Sequence, residues 1–264
     1  MWRLYPIALV LLAAGCAGPG GLRYESPEEA YTKGMEYFER GRYSRAAQYF
    51  QAVFDFGRMH DWADDAQLAL ARTRRANEEY ILAASEYARF TELYRADPRI
   101  PTVQYERAMT FYERSPEYEL DQSNTERGIE VFYVYMQRYP EHDSVDAARA
   151  RVLELRDKLA YKQFNNAGLY ERRELYEAAA LSFELVFDKF PDTELADDAL
   201  LGAIRCYVAY SNQSIAQRQP ERLQKAIDHY QRLIQIFPDS DLIDEAEVFF
   251  NQARGTLDQL MAAG

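Results

Sequence analysis

A small residue followed four positions later by an aromatic residue occurs five times along the chain. The pairs are Ala46/Phe50, Ala83/Tyr87, Gly128/Phe132, Ala179/Phe183 and Ala226/Tyr230. In the last four copies a second aromatic residue stands seven positions further on, at Tyr94, Tyr139, Phe190 and Phe237. Steps of four and seven residues keep side chains on one face of an α-helix. The pattern therefore predicts five helices that approach a neighbour closely at the small residue and insert rings further along.

Each of these helices is expected to end at a turn and to have a partner helix. A proline comes directly after the second aromatic residue in the last three copies, at Pro140, Pro191 and Pro238. In the second copy the proline, Pro98, comes a few residues later. Proline does not continue a helix, so each copy should stop there. Between the copies, alanine and leucine recur at helical spacing, as in Ala63, Ala66 and Leu70 or in Ala196, Ala199, Leu200 and Ala203. The repeating unit is thus predicted to be a pair of helices.

The spacing within two copies resembles the tetratricopeptide repeat. The first copy carries Gly34, Tyr37, Ala46 and Phe50, and the fourth carries Ala167, Tyr170, Ala179, Phe183 and Pro191. The resemblance implies an all-α fold, a right-handed superhelical solenoid of about five helix pairs, with a capping helix from Asp241 to Met261. The intervals from Ala46 to Ala226 are 37, 45, 51 and 47 residues, longer than the usual 34. Polar insertions at 115–124 and 211–221 account for the surplus.

The N-terminus has the architecture of a bacterial lipoprotein signal. Arg3 precedes an apolar run from Ile7 to Ala14 that is too short to span a bilayer, and Gly15-Cys16 follows it. The run 11–16 resembles a lipobox with Ala13 in the usual leucine position, so we expect residues 1–15 to be removed, Cys16 to be lipidated, and 16–24 to form a flexible tether. Ala17 after the cysteine permits sorting to the outer membrane. The alternative is an ordinary signal peptide with a chance cysteine.

Charge and cysteine content favour protein partners and a fold held by packing. The chain carries a formal net charge of −12, which argues against binding to nucleic acid. Once Cys16 carries lipid, only Cys206 remains, so no intramolecular disulfide can form. Cys206 lies among apolar residues and is expected to be a small buried side chain rather than a nucleophile.

Catalytic and metal-binding patterns find little support. His60, His142 and His229 are scattered and are expected at the surface or at its boundary. No Gly-rich phosphate loop is present. The carboxylate pairs Asp64/Asp65, Asp197/Asp198 and Asp244/Glu245 recur at one place in the repeat, where we expect the first turn of a helix. The sequence therefore predicts no catalytic residue, no metal and no cofactor.

Several segments of the chain carry a family resemblance. Residues 155–160, 170–172 and 190–193, together with 97–100, 105–108 and the lipobox, are similar to the BamD-type outer-membrane assembly lipoproteins. Periplasmic repeat proteins of the CpoB type, which work with peptidoglycan, also carry repeats ending in Phe-Pro or Tyr-Pro. These generally lack a lipobox, but an adaptor of this kind remains the alternative.

The BamD resemblance implies a non-enzymatic subunit anchored in the outer membrane and facing the periplasm. Its expected partners are the periplasmic domains of the BamA barrel insertase, the C-terminal segments of unfolded outer-membrane proteins, and further accessory lipoproteins. Residues 25–124 would hold a peptide-binding groove, and 125–262 would form the platform for the insertase.

Ligand-facing positions of the tetratricopeptide pattern specify the expected groove. They are Tyr31, Met35, Phe38, Leu68, Arg72, Arg75, Tyr105, Met109 and Tyr112. Rings would take a terminal aromatic residue, and the arginines would bind its free carboxylate between Tyr31 and Tyr112. The alternative is that the aromatic residues only pack between helices and that the arginines are solvated.

Overall fold

The computed structural model describes residues 21–263, which contain α-helices and no β-strand. The signal segment, Cys16 and the first part of the expected tether lie outside the described residues. The helices are α1 (Pro27–Glu39), α2 (Tyr43–Ala52), α3 (Ala63–Ala76), α4 (Tyr80–Leu93), α5 (Ile100–Glu113), α6 (Ser123–Arg138), α7 (Val145–Arg172), α8 (Tyr176–Lys189), α9 (Ala196–Asn212), α10 (Gln219–Ile236) and α11 (Ile243–Ala263). Short 3-10 turns cover Val53–Phe56 and Ala216–Arg218. The predicted all-α fold of five helix pairs and a final helix is confirmed.

The helix ends follow the expected signals. Tyr139, Phe190 and Phe237 are the C-cap residues of α6, α8 and α10, and a proline comes directly after each. The expected carboxylate pairs lie in the first turns of α3, α9 and α11, where they face the positive end of the helix dipole. These three helix ends and three first turns lie where the sequence predicts them.

The small and aromatic positions of the repeat are buried together. All five small residues and four of their aromatic partners lie in the interior, while Tyr230 is half-buried and stacks on Phe250 with ring centroids 4.4 Å apart. The chain divides into two compact units, one ending at Glu86 and one beginning at Tyr87.

The first unit is organised around Phe50. Its ring is fully buried beside Ala46 and Leu70. A Cβ placed on Gly34 of α1 would stand 2.6 Å from this ring, so only glycine allows α1 to approach α2 here.

The expected tether to Tyr24 needs a correction at its end, because the Tyr24 hydroxyl donates to Asp55 and the ring packs against Phe56. An aromatic ring with apolar neighbours does not stay in solvent.

The second unit has its largest core among α7 to α11. Phe183 of α8 is 2% exposed and meets Phe164 of α7 edge-on at 5.2 Å. A Cβ on Gly202 of α9 would stand 2.8 Å from the Phe183 ring. The aromatic residue of this repeat is therefore enclosed by the helix before it and by the helix after it.

The insertion at 115–124 is an ordered connection between α5 and α6. Lys158 of α7 donates to the Ser115 hydroxyl at 2.7 Å, and Lys162, one turn further on, donates to the Leu120 carbonyl at 2.6 Å. The Gln122 side-chain amide closes the loop by donating to the Glu117 carbonyl at 2.8 Å.

Within residues 21–263, none of the helices is both long enough and apolar enough to cross a membrane.

Candidate functional site

The groove positions expected on α1 take part in packing within the first repeat. The Tyr31 ring lies 5.6 Å from Phe50 and 5.2 Å from Trp62, measured between centroids. Phe38 contacts Tyr43 in the same way at 5.4 Å, and Met35 packs against the Phe50 cluster. All three α1 side chains keep part of their surface exposed. Much of the surface of these three side chains is used in packing between helices, as the alternative interpretation holds. A role in a groove stays a prediction.

The groove positions expected on α3 differ in exposure. Leu68 is 3% exposed, so the structure places it in the core rather than on a ligand-facing surface. The reason is that α3 is covered by other residues around much of its circumference. Leu68, Leu70 and Ala71 point in different directions around the helix axis, and all three are buried. Arg72 is exposed and Arg75 is half-buried. Of the three predicted groove positions on α3, the two arginines are thus the ones whose side chains reach the surface.

The three expected positions on α5, in the second unit, lie together against one apolar cluster. Tyr105 contacts Phe132 and Tyr135 of α6, with centroid distances of 6.2 and 5.7 Å. Met109 packs beside it. The Tyr112 hydroxyl donates to Glu154 of α7 at 2.5 Å, a bond that raises the Tyr112 pKa.

Tyr112 is also held by Arg151. The guanidinium lies 5.0 Å from the ring centroid and donates to Glu154 at 2.7 Å. Glu154 stabilises the un-ionised phenol, because ionisation would place a negative charge beside its carboxylate, whereas Arg151 acts in the opposite direction on the Tyr112 pKa. Tyr112 therefore joins α5 to α7 and presents only part of its surface.

A contact that the sequence did not reveal links two of the segments that carry the family resemblance. Arg156 of α7 forms a two-pronged ion pair with Asp192 and donates to the Lys189 carbonyl at 2.9 Å, at the C-terminus of α8. The guanidinium holds the Asp192 pKa below its usual range. Arg156 thus fixes the turn after α8 in relation to α7.

A second unforeseen feature is a cavity of about 450 Å³ beside the 115–124 insertion. Tyr118 and Tyr161 meet edge-on at one wall, with centroids 4.6 Å apart. Asp157 lies at another wall, where burial raises its pKa, and its Oδ1 has no hydrogen-bond partner. The signal available in the sequence was Tyr118, an aromatic residue within a polar insertion.

The expectation that His229 lies at the surface or its boundary is wrong. His229 is 4% exposed and stacks on Tyr207 with centroids 5.6 Å apart. Its Nε2 lies 3.6 Å from Glu184, which also accepts a hydrogen bond from the Tyr207 hydroxyl at 2.7 Å. Burial lowers the His229 pKa. His229 therefore belongs to the buried face of α10.

Cys206 is fully buried, as expected, and burial raises the pKa of its thiol to about 12. A thiol in this state is a poor nucleophile. Within residues 21–263, no group of histidine, cysteine or acidic side chains is arranged to hold a metal ion.

The family described as outer membrane lipoprotein, YfiO, matches residues 23–216. The chain belongs to the YfiO family. The matched segment runs from α1 through α9, so it includes all the predicted groove positions and the Arg156–Asp192 contact.

Curated relatives of this YfiO-family chain share a name. Outer membrane protein assembly factor BamD of Caulobacter vibrioides is 27% identical over 220 residues, which are 80% of this chain and 72% of that protein. The protein of the same name from Vibrio cholerae is 24% identical over 245 residues, 88% of this chain and 96% of that one. These relatives are named assembly factors rather than enzymes.

Solved tetratricopeptide-repeat proteins also match the YfiO-family chain. The TPR2AB-domain:pHSP90 complex of yeast Sti1 matches 86% of this chain and 98% of that chain at 13% identity, with a TM-score of 0.43. A repeat protein from Parabacteroides merdae matches 85% and 98% at 15% identity, with a TM-score of 0.37.

Proposed function

We propose that this chain is a non-enzymatic lipoprotein subunit of the machinery that assembles β-barrel proteins in the outer membrane. It is anchored through Cys16, faces the periplasm, docks on the periplasmic domains of a BamA-type insertase and receives C-terminal segments of unfolded outer-membrane proteins. The observation that carries the proposal is membership of the outer membrane lipoprotein family, together with assembly factors as relatives over most of the chain.

Exposed apolar side chains support a docking role for the C-terminal repeats. Leu181 and Leu185 lie one turn apart on α8 and are 49% and 38% exposed. Leu169 and Leu175, at and just after the end of α7, are also exposed. Apolar surface of this kind is typical of interaction sites when several residues share one region. We assign this region to the insertase.

Co-purification from solubilised outer membranes tests the docking role. The full chain should retain a barrel insertase as its main partner, whereas the Leu181→Glu, Leu185→Glu variant should lose it because charges would be buried in the interface. Met59→Glu is the matched control, since Met59 is fully exposed in the first unit. Recovery of peptidoglycan-associated proteins without an insertase would instead favour the periplasmic adaptor.

A peptide titration tests the receptor role. A peptide copying the C-terminus of a barrel protein should bind about tenfold more weakly once its carboxylate is amidated, because a charge-assisted bond contributes roughly 1.5 to 3 kcal/mol. The Arg72→Ala, Arg75→Ala variant should remove the difference between the two peptides. If the variant keeps the full difference, the carboxylate is bound elsewhere.

A further inference from the structure

A small pocket between α5 and α6 adjoins the Tyr105 cluster through Tyr135, but none of the predicted groove residues lines it. Its volume is about 180 Å³, below the ~300–1,000 Å³ of pockets that take drug-sized molecules. The lining residues are Gln104, Arg107, Arg127, Glu130, Val131, Val134, Tyr135, Arg138 and Tyr139. A pocket of this size accommodates a single residue of a partner.

Positive charge is in excess at this pocket. Three arginines and one carboxylate line it. The carboxylate of Glu130 is already engaged, because Arg127 donates to it at 2.5 Å. The Arg138 guanidinium lies over the Tyr139 ring, 5.6 Å from its centroid. The net excess is unexpected in a chain with a formal charge of −12, where carboxylates are abundant.

Arg107 differs from the other two arginines of the pocket because it is half-buried, whereas Arg127 and Arg138 are exposed. Within the described part of the chain, no carboxylate oxygen lies at salt-bridge distance from its guanidinium, and its buried Nε has no hydrogen-bond partner. Burial lowers the Arg107 pKa, and the Arg127 charge lowers it further, while the Glu92 charge offsets this only in part. A buried N–H group without a hydrogen-bond partner is unfavourable, and such groups are rare in folded proteins.

The other side of the pocket is apolar. Val131 and Val134 lie three residues apart and therefore on the same side of α6. Val134 is 56% exposed. Tyr139 closes this side at the end of the helix. The pocket therefore combines an unpaired guanidinium with a surface suited to an aliphatic group.

We propose that the pocket between α5 and α6 binds a carboxylate of a protein partner together with the apolar side chain next to it. The planar guanidinium of Arg107 matches a carboxylate in two-pronged geometry. The apolar side favours an amino-acid carboxylate over inorganic phosphate, which has no group to place there. The carboxylate comes from either a chain terminus or an acidic side chain. The inference rests on this pocket alone and does not depend on the proposed function.

Titration with short peptides tests the proposal on the full chain. The probes are acetyl-Ala-Leu with a free carboxylate, the same peptide as its amide, acetyl-Leu-Glu amide, and inorganic phosphate, with binding followed by the NMR signals of the arginine side chains. At least one carboxylate peptide should bind, and the Ala-Leu amide should bind at least tenfold more weakly. Binding of the free acid alone identifies a chain terminus, and binding of the glutamate peptide alone identifies a side chain.

Substitutions separate a binding role from a structural one. Arg107→Gln should weaken carboxylate binding at least tenfold while leaving the melting temperature unchanged or higher, because the variant removes an unpaired charge. Arg149→Gln is the control, since Arg149 is exposed on α7 and pairs with Asp146 at 2.7 Å. Arg127→Gln provides a second variant at an exposed side chain and should weaken binding less. Binding that is unaffected by Arg107→Gln, or restricted to phosphate, would overturn the proposal.

Discussion

Replacing Gly202 with alanine tests the way in which the repeats approach one another. Alanine favours a helix over glycine by about 1 kcal/mol. At Gly202, however, the new Cβ would stand 2.8 to 2.9 Å from three atoms of the Phe183 ring. The ring is 2% exposed and is held by Phe164, so it has little room to move. Overpacking of this kind costs roughly 1 to 3 kcal/mol, and the net effect should be a loss of up to about 2 kcal/mol.

Gly255 provides the matched control. It is also inside a helix, α11, but a Cβ there would meet no atom within 4 Å. Gly255→Ala should therefore stabilise the protein by about 0.5 to 1 kcal/mol. Thermal and urea unfolding of both variants would measure the difference, which should be about 1 to 3 kcal/mol, with a shift of roughly 2 to 4 °C per kcal/mol for a domain of this size.

A second substitution locates the cause. In a Phe183→Leu background, the smaller side chain should relieve the contact, so Gly202→Ala should become less destabilising by about 0.5 kcal/mol or more. If Gly202→Ala stabilises the parent protein as much as Gly255→Ala does, a Cβ at position 202 does not clash with Phe183, and α8 and α9 do not need a glycine there.

Three further predictions concern the core, the turn after α8 and the anchor. Phe183→Ala should lower the free energy of unfolding by about 3 to 5 kcal/mol because it leaves a cavity in the core; a loss within about 0.5 kcal/mol in urea unfolding would place the ring at the surface. Arg156→Gln should lower the melting temperature at neutral pH. The ion-pair part of this difference should begin to shrink as the pH falls below about 4, the ordinary pKa of aspartate, and should vanish only below the lowered pKa that Asp192 has in the folded state; a difference that does not change with pH would exclude the ion pair as its source. Cys16→Ser should release the protein into the soluble fraction on cell fractionation, since a lipidated cysteine provides more than one acyl chain; continued membrane association would contradict lipid anchoring.

The repeat architecture was accessible from the sequence because it depends on local rules. The step from Ala179 to Phe183 follows from helix geometry, and the helix end at Phe190 follows from the proline after it. Both are properties of neighbours along the chain, and both are confirmed. The carboxylate pairs in the first turns of α3, α9 and α11 belong to the same class of signal.

The features that the sequence did not reveal depend on contacts between distant residues. The burial of Leu68 depends on how much of α3 the neighbouring helices cover, which periodicity alone does not specify. His229 is buried because Tyr207, 22 positions earlier, offers a ring to stack on. Arg107 stands out because its buried Nε has no hydrogen-bond partner, and a single sequence cannot show such an absence.

The buried thiol of Cys206 gives the protein a built-in probe of its own opening. The sequence holds two cysteines, so a chain with Cys16 lipidated or substituted has one free thiol, and that thiol lies in the middle of α9. A thiol with its pKa raised to about 12 should react with an alkylating reagent only after α9 separates from its neighbours. The labelling rate should then report the free energy of that local separation, as amide hydrogen exchange does. Following it while a partner binds would show whether docking tightens the C-terminal repeats.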